Sequence, residues 1–279
     1  MERVKLKKAK RIVVKIGTSI LASGGTVLDE GWIKGFAGQV SGLMKQRREI
    51  VIVSSGAIGA GMGILGMKMR PKGLPEQQAC AALGQGYLMR TYEEAFKKNG
   101  FHAAQILLTW EDIRERRRYL NAENTLTTLL KKKAVPVINE NDTVSVDEIK
   151  FGDNDKLSAL VSTLVSADLL IMLTDVDGLF IDGKKTVASV VKDVNCGIEK
   201  LACGTDKEYS RGGMKTKLDA AKIVTRSGID CVIANGRKKD VLLRILAGEK
   251  VGTFFHARDS RITGRDFYEK ALVSLTRLG

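Results

Sequence analysis

Between residues 137 and 159 the chain reads VINENDTVSVDEIKFGDNDKLSA. It gathers Glu140, Asp142, Asp147, Glu148, Asp153 and Asp155 there, although 46 Lys and Arg against 32 Asp and Glu give a net charge of +14. Amides alternate with acids: Asn139, Glu140, Asn141 and Asp142, then Asp153, Asn154 and Asp155. Carboxamides and carboxylates together can hold an ammonium, orient lysines or supply oxygen to Mg2+. Plainer roles account for part of the cluster. Asp153 or Asp155 suits the N-terminus of the apolar helix KLSALVSTLV, and Asp147 and Glu148 suit a solvated turn. A calcium loop does not fit, because D-x-[DN]-x-[DN]-G is not met. The remaining acids and amides would serve a mixed site for an amino acid and a metal-bound nucleotide.

Cations and glycines elsewhere point to anions. Lys15 interrupts the buried-strand pattern RIVVKI, and a buried ammonium needs a partner, most naturally a carboxylate of the acidic cluster. In RGGMKTKLDAA (211–221) a glycine pair opens a helix and puts Lys215 and Lys217 in its first turn. Cations there oppose the helix dipole by a few tenths to about 1 kcal/mol each, a cost that a bound anion reverses and a solvated helix face simply bears. In SSGAIGAG (54–61) the backbone N–H groups of Gly56 and Gly59 could line an anion site. The stretch GMGILG (61–66) satisfies G-x-G-x-x-G, but it begins seven residues after Ser54 and lacks the acidic residue that a dinucleotide fingerprint needs. A glycine-rich helix start that lets the backbone come close to something is the better reading. No G-x-x-x-x-G-K-[ST] loop and no H-R-D or D-F-G set is present.

The elements that must position these residues are strands and helices in alternation. Apolar runs at 11–16, 49–54, 104–109, 134–138, 169–173 and 231–234 predict strands. Helical patterns fill 33–44, Pro75 toward Gly100, 111–133, 155–167, 214–227 and 239–247. This is a doubly wound α/β chain with an open, mainly parallel sheet, and 176–212 is a less regular stretch suited to a nucleotide-side lobe. Ligands of such sheets collect at the carboxyl ends of strands. Gly17-Thr18-Ser19, Ser54-Ser55-Gly56, the 139–155 loop and Thr174-Asp175 should therefore share one edge.

Composition excludes several classes. Four cysteines without a CxxC pair and two histidines give no zinc spacing and no disulfide framework, which suits a reducing cytoplasm. The apolar stretch 159–174 carries Asp168, and the N-terminal basic run has too short an apolar core for a signal peptide, so no membrane partner is expected.

Six motifs in order, KIGTS (15–19), SSGAIGAG (54–61), PVINENDTV (136–144), FGDNDKLSA (151–159), LTDVDGL (173–179) and GGMKTK (212–217), resemble the set found in glutamate 5-kinases of the amino-acid-kinase superfamily. The resemblance implies an αβα sandwich and transfer of the ATP γ-phosphoryl group to the side-chain carboxylate of L-glutamate, the first step of proline biosynthesis. It implies that Lys15 and Lys217 neutralise the transferring group, with Asp155 holding the lysines and Asp153 organising the loop. Ser55, Asp142 and Asn154 would bind glutamate. Lys15, Thr174, Asp175 and residues Arg211, Gly212, Gly213, Met214, Lys215, Thr216 and Lys217 would form the nucleotide side. ATP and Mg2+ are the implied cofactors, with the metal held mainly through ATP and no protein ligand assigned. A homo-oligomer, proline as feedback inhibitor and hand-off to a glutamyl-phosphate reductase are implied partners.

The resemblance also sets the domain expectation: one kinase domain over 1–279, with its motif-bearing core at about 9–257 and a tail at 258–279. No C-terminal domain of the RNA-binding type (PUA) carried by many members is expected. Two rival functions remain. Another phosphotransferase of the superfamily would act on acetylglutamate, aspartate, carbamate or uridylate, and the 139–155 loop discriminates among these acceptors. A nucleic-acid-binding role is suggested by KLKKAKR (5–11), RERRR (114–118) and KKK (131–133). Aromatics at 5% and the absence of an RNA-recognition signature argue for solvated surface instead.

Overall fold

A computed structural model describes residues 2–23, 26–145, 154–181, 186–195, 197–198 and 213–258. A short 3-10 turn at Glu2–Lys8 leads into β1 (Arg11–Ile16), whose neighbours are β4 (Glu49–Ser54) and β7 (Leu169–Thr174), both parallel to it. Outward from β4 lie β6 (Val135–Glu140) and β5 (Ala103–Leu108), and outward from β7 lie β11 (Asp230–Asn235), β12 (Thr253–Phe255) and β10 (Val190–Val191). Only the β11–β12 pairing of this eight-stranded sheet is antiparallel among the described residues. Two small hairpins, β2 (Ala22–Ser23) with β3 (Val27–Leu28) and β8 (Phe180–Ile181) with β9 (Thr186–Val187), stand outside it.

Strands buried on both faces explain the unbroken apolar runs. Ile12, Val14 and Ile16 pack into a core with Ile33, Phe36 and Val40 of α2 (Glu30–Lys45) and Leu88 and Tyr92 of α4 (Leu74–Lys97). Val13 faces the other way. It joins Leu126 and Leu130 of α6 (Arg116–Lys131), Leu157 and Val161 of α7 (Asn154–Leu164) and Leu218 and Val224 of α8 (Met214–Arg226). The product is the expected αβα sandwich. By the period of two, Lys15 shares the face of Val13 and points beneath α7 and α8.

Two expectations change. The helix expected over 111–133 is broken into α5 (Trp110–Arg114) and α6, because Glu115 is extended (φ −85°, ψ 118°) and its carboxylate accepts the N–H groups of Arg117 at 3.0 Å and Arg118 at 2.8 Å. A capping residue inside a helical pattern starts a new helix. GMGILG is not a helix start either: α3 (Ala57–Ile64) begins four residues earlier, after Gly56 turns the chain with φ +98°. What Gly61 lets approach is α4, while Gly63 sits against the Thr26 carbonyl. A Cβ on Gly61 would overlap the Cys80 backbone, and one on Gly84 would overlap that of Ala57.

This crossing yields a paired prediction within one helix. Gly84→Ala should destabilise the protein by about 3 kcal/mol, the upper end for overpacking, since backbone rather than a flexible side chain must move. Gly86→Ala, whose Cβ would meet nothing within 4 Å, should stabilise by about 0.5–1 kcal/mol. Urea unfolding of both variants measures the difference, and equal midpoints would contradict the close crossing.

Candidate functional site

The carboxyl ends of β1, β4, β6, β7 and β11 do share one edge. The register pairs Ile16 with Ser54 and Leu173, and Thr174 with Asn235. Lys15, at the penultimate position of β1, is 2% exposed, and its Nζ lies 2.5 Å from Oδ1 of Asp155. Asp155 belongs to the first turn of α7 and is wholly buried. Its Oδ2 accepts hydrogen bonds from Lys217 Nζ at 3.1 Å and from Thr216 Oγ1 at 2.9 Å. One carboxylate thus holds two ammonium groups and a hydroxyl, the lysines coming from a strand and a helix. Its location near the start of α7 also suits the helix dipole.

Lys217 and Lys215 part company. Lys217 is buried against Asp155, whereas Lys215 is exposed, so the first turn of α8 carries one inward cation and one solvated one. The field of Asp155 reaches across the sheet: burial, then the charges of Asp155 and Asp230, push the Cys231 thiol well above its ordinary value. Cys231 is therefore held as a neutral thiol.

Beside this clamp lies an amide and hydroxyl cluster. Asn154 directs Nδ2 at the Ser54 carbonyl (2.8 Å), Ser55 Oγ (3.0 Å) and Asn139 Oδ1 (2.8 Å). Asp142 occupies the turn after β6 and is half-buried. That turn is held by Asn141, whose N–H donates to the Leu108 carbonyl at 2.9 Å and whose own carbonyl accepts from the Ser145 N–H at 3.1 Å. Asp153, Arg211 and Gly212 lie outside the described residues.

On the opposite flank Thr174 ends β7, with its hydroxyl donated to Asp175 at 3.1 Å. Asn235, ending β11, donates to the Asp175 carbonyl at 3.3 Å and to Asp177 at 3.0 Å. Lys238 lies 3.1 Å from Asp177, and the contacts from Asn235 and Lys238 hold that carboxyl below the usual range. Gly213 caps α8 with its backbone alone, Met214 packs against the core beneath, and Thr216 reaches Asp155.

Sequence reading missed Asn235 and Asp177 on this flank, and Gln85 and Gln105 on the other. Their signal was faint: a polar residue at an otherwise buried helical position for Gln85, and an amide just past a strand for Asn235. Among the described residues no three His, Cys, Asp or Glu side chains gather as metal ligands, and no helix is long and apolar enough to cross a membrane. The basic clusters at 114–118 and 131–133 are exposed.

The arrangement suits transfer of an anionic group: two inward ammonium groups, uncapped helix N-termini, and a neighbouring set of amides able to fix an acceptor. Comparison with known proteins agrees. Residues 10–235 match the model of the amino acid kinase family. A glutamate 5-kinase of Nitrosospira multiformis is 49% identical over 270 residues, covering 95% of this chain and 72% of that protein. One of Geobacter sp. (strain M21) is 50% identical over 260 residues, 91% of this chain and 70% of its own. One of Caldanaerobacter subterraneus subsp. tengcongensis is 49% identical over 263 residues, 92% and 71% of the two chains.

Proposed function

This chain belongs to the amino acid kinase family, and from that premise we propose that it phosphorylates the side-chain carboxylate of L-glutamate with ATP, giving L-glutamyl 5-phosphate for proline biosynthesis. The observation that carries the reading is the buried clamp in which Asp155 binds both Lys15 and Lys217 beside the Asn154–Ser55 cluster. Glutamate 5-kinases about half identical over more than nine-tenths of the chain support the choice of acceptor.

The chemistry asks little of acids and bases. A glutamate side chain ionises near pH 4.3 and is already a nucleophile at neutral pH, so no residue need remove a proton. One of its oxygens bonds to the γ-phosphorus as the bond to the ADP oxygen breaks, and ADP leaves with that electron pair. The protein's task is alignment and charge. Lys15 and Lys217 stabilise negative charge on the phosphoryl oxygens, and Asp155 keeps both side chains from moving away. Thr174, Asp175 and the start of α8 make the nucleotide side. Ser55, Asn154 and Asp142 make the acceptor side, with Asp142 facing the α-ammonium. Mg2+ suits this donor set as a passenger on the triphosphate, where it would neutralise the β- and γ-oxygens, because Asp155 is committed to lysines.

Asp153, Arg211 and Gly212 keep the supporting roles their motifs imply. We read about 9–257 as one kinase domain, supported by a sheet with strands from Arg11 to Phe255. A cytoplasmic homo-oligomer, proline overlapping the acceptor side and hand-off of the labile acyl phosphate to a reductase complete the reading.

Trapping the product as its hydroxamate with glutamate, acetylglutamate, aspartate or carbamate present, and following ADP release with uridylate, tests the function. Glutamate alone should give signal, and preference for another acceptor would overturn the reading of the 139–155 loop. Asp142→Ala should raise the glutamate KM at least tenfold while leaving the ATP KM within about twofold, the size expected when an ammonium loses its charged partner. An unchanged glutamate KM would remove Asp142 from the ammonium site.

A further inference from the structure

Behind the acceptor cluster runs a line of carboxamides that ends at Asn154. Gln105 Oε1 accepts from Gln85 Nε2 at 3.1 Å, Gln85 Oε1 accepts from Asn139 Nδ2 at 2.9 Å, and Asn139 Oδ1 accepts from Asn154 Nδ2 at 2.8 Å. Gln85, Asn139 and Asn154 are each less than 9% exposed, so their orientations cannot be traded freely against water.

A side-chain amide keeps nearly the same shape when turned end for end, but two backbone groups remove that freedom here. The Glu140 N–H, which can only donate, bonds to Asn139 Oδ1 at 2.9 Å. The Ser54 carbonyl, which can only accept, receives Asn154 Nδ2 at 2.8 Å. With both ends fixed in polarity, Asn139 must turn Nδ2 toward Gln85, and Asn154 must keep Nδ2 inward. The atom that Asn154 can offer a ligand is then its carbonyl oxygen, an acceptor suited to an ammonium donor.

We propose that Gln85, backed by Gln105, is a positioning residue that acts through Asn139 to lock the Asn154 amide with its oxygen toward the acceptor site, and so selects acceptors that carry an α-ammonium. The ligand assignment rests on the glutamate reading above. The lock does not, because it follows from the hydrogen-bond polarity alone. Loss of the Gln85 oxygen leaves the buried Asn139 Nδ2 unsatisfied, so Asn139 keeps only its Glu140 and Asn154 contacts and both amides loosen from their positions without turning over.

Three variants of the full chain separate this from a packing role. Gln85→Leu should raise the glutamate KM about tenfold and reduce the preference for glutamate over glutarate, which lacks the ammonium, by a similar factor, while the ATP KM stays within about twofold. Gln85→Glu keeps an oxygen for Asn139 and should restore most of the loss. Gln105→Glu keeps its only required acceptor and should behave like the unaltered protein. A Gln85→Leu enzyme with unchanged glutamate KM and selectivity, or with glutamate and ATP KM rising together, would overturn the proposal.

Side-chain amide exchange, followed by nitrogen NMR, judges the lock independently of turnover. The NH2 protons of Asn139 and Asn154 should exchange slowly in the unaltered protein and at least tenfold faster in Gln85→Leu. Equal rates in the two proteins would overturn the lock, whereas absence of glutamate turnover in the unaltered protein would overturn only the substrate reading.

Discussion

Lys217→Ala should lower kcat by about 10³ with ATP binding partly retained. Removing one donor aimed at transition-state charge costs about 10²–10³ in related settings, and an ammonium carries a full charge where those donors carry a dipole. The buried position of Lys217, tied to Asp155 at 3.1 Å, means that no solvent cation replaces it with the same alignment. Lys15 still holds Asp155, and Thr216 still donates to it, so the variant should unfold within about 1–2 kcal/mol of the unaltered protein. Lys215→Ala is the matched control. Its ammonium is exposed in the same helical turn, and its loss should cost less than tenfold. Initial rates of ADP release at saturating glutamate measure both. Near-normal turnover in Lys217→Ala would remove that residue from the transition state.

Asp155→Ala should damage activity and stability together. The substitution deletes a wholly buried carboxylate that two buried ammonium groups share, and breaking a buried ion pair from one side typically costs about 3–5 kcal/mol. The lysines would move apart under their mutual repulsion, so kcat should fall by at least about 10³ even where the protein remains folded. Asp155→Asn keeps the shape and one oxygen acceptor. It should recover part of the stability while remaining slow, because one carbonyl oxygen cannot hold both ammonium groups. Thermal unfolding read beside single-turnover rates distinguishes the two effects. If Asp155→Ala unfolded at the same temperature as the unaltered protein, the shared carboxylate would not be what anchors the lysines.

Much of this site was legible before the fold was known, and for identifiable reasons. Lys15 drew attention because an ammonium inside RIVVKI has to be compensated, and the structure puts a carboxylate against it. The strands 11–16 and 49–54 were read to the residue, since strands buried on both faces write continuous apolar runs bounded by polar loops. The break at Glu115 was not legible. Its apolar spacing continues through 111–133, and only the backbone geometry reveals that the side chain caps a new helix.

What the sequence by itself determined is the kind of molecule: alternating strands and helices, a polar edge where the strands end, and a motif set of an amino acid kinase. Only the tertiary structure decided which partners meet. It set Asp155 against Lys15 and Lys217, the pairing that the resemblance implied, sent Lys217 inward and Lys215 outward, seated Gly61 of α3 against α4, and linked Gln105 to Asn154 through two intervening amides. The physical reason is range. Strand and helix periodicity is set by neighbours a few residues apart and is written locally. Lys15 and Asp155 are separated by half the chain, and their contact exists only once β1, α7 and α8 have packed on one face of the sheet.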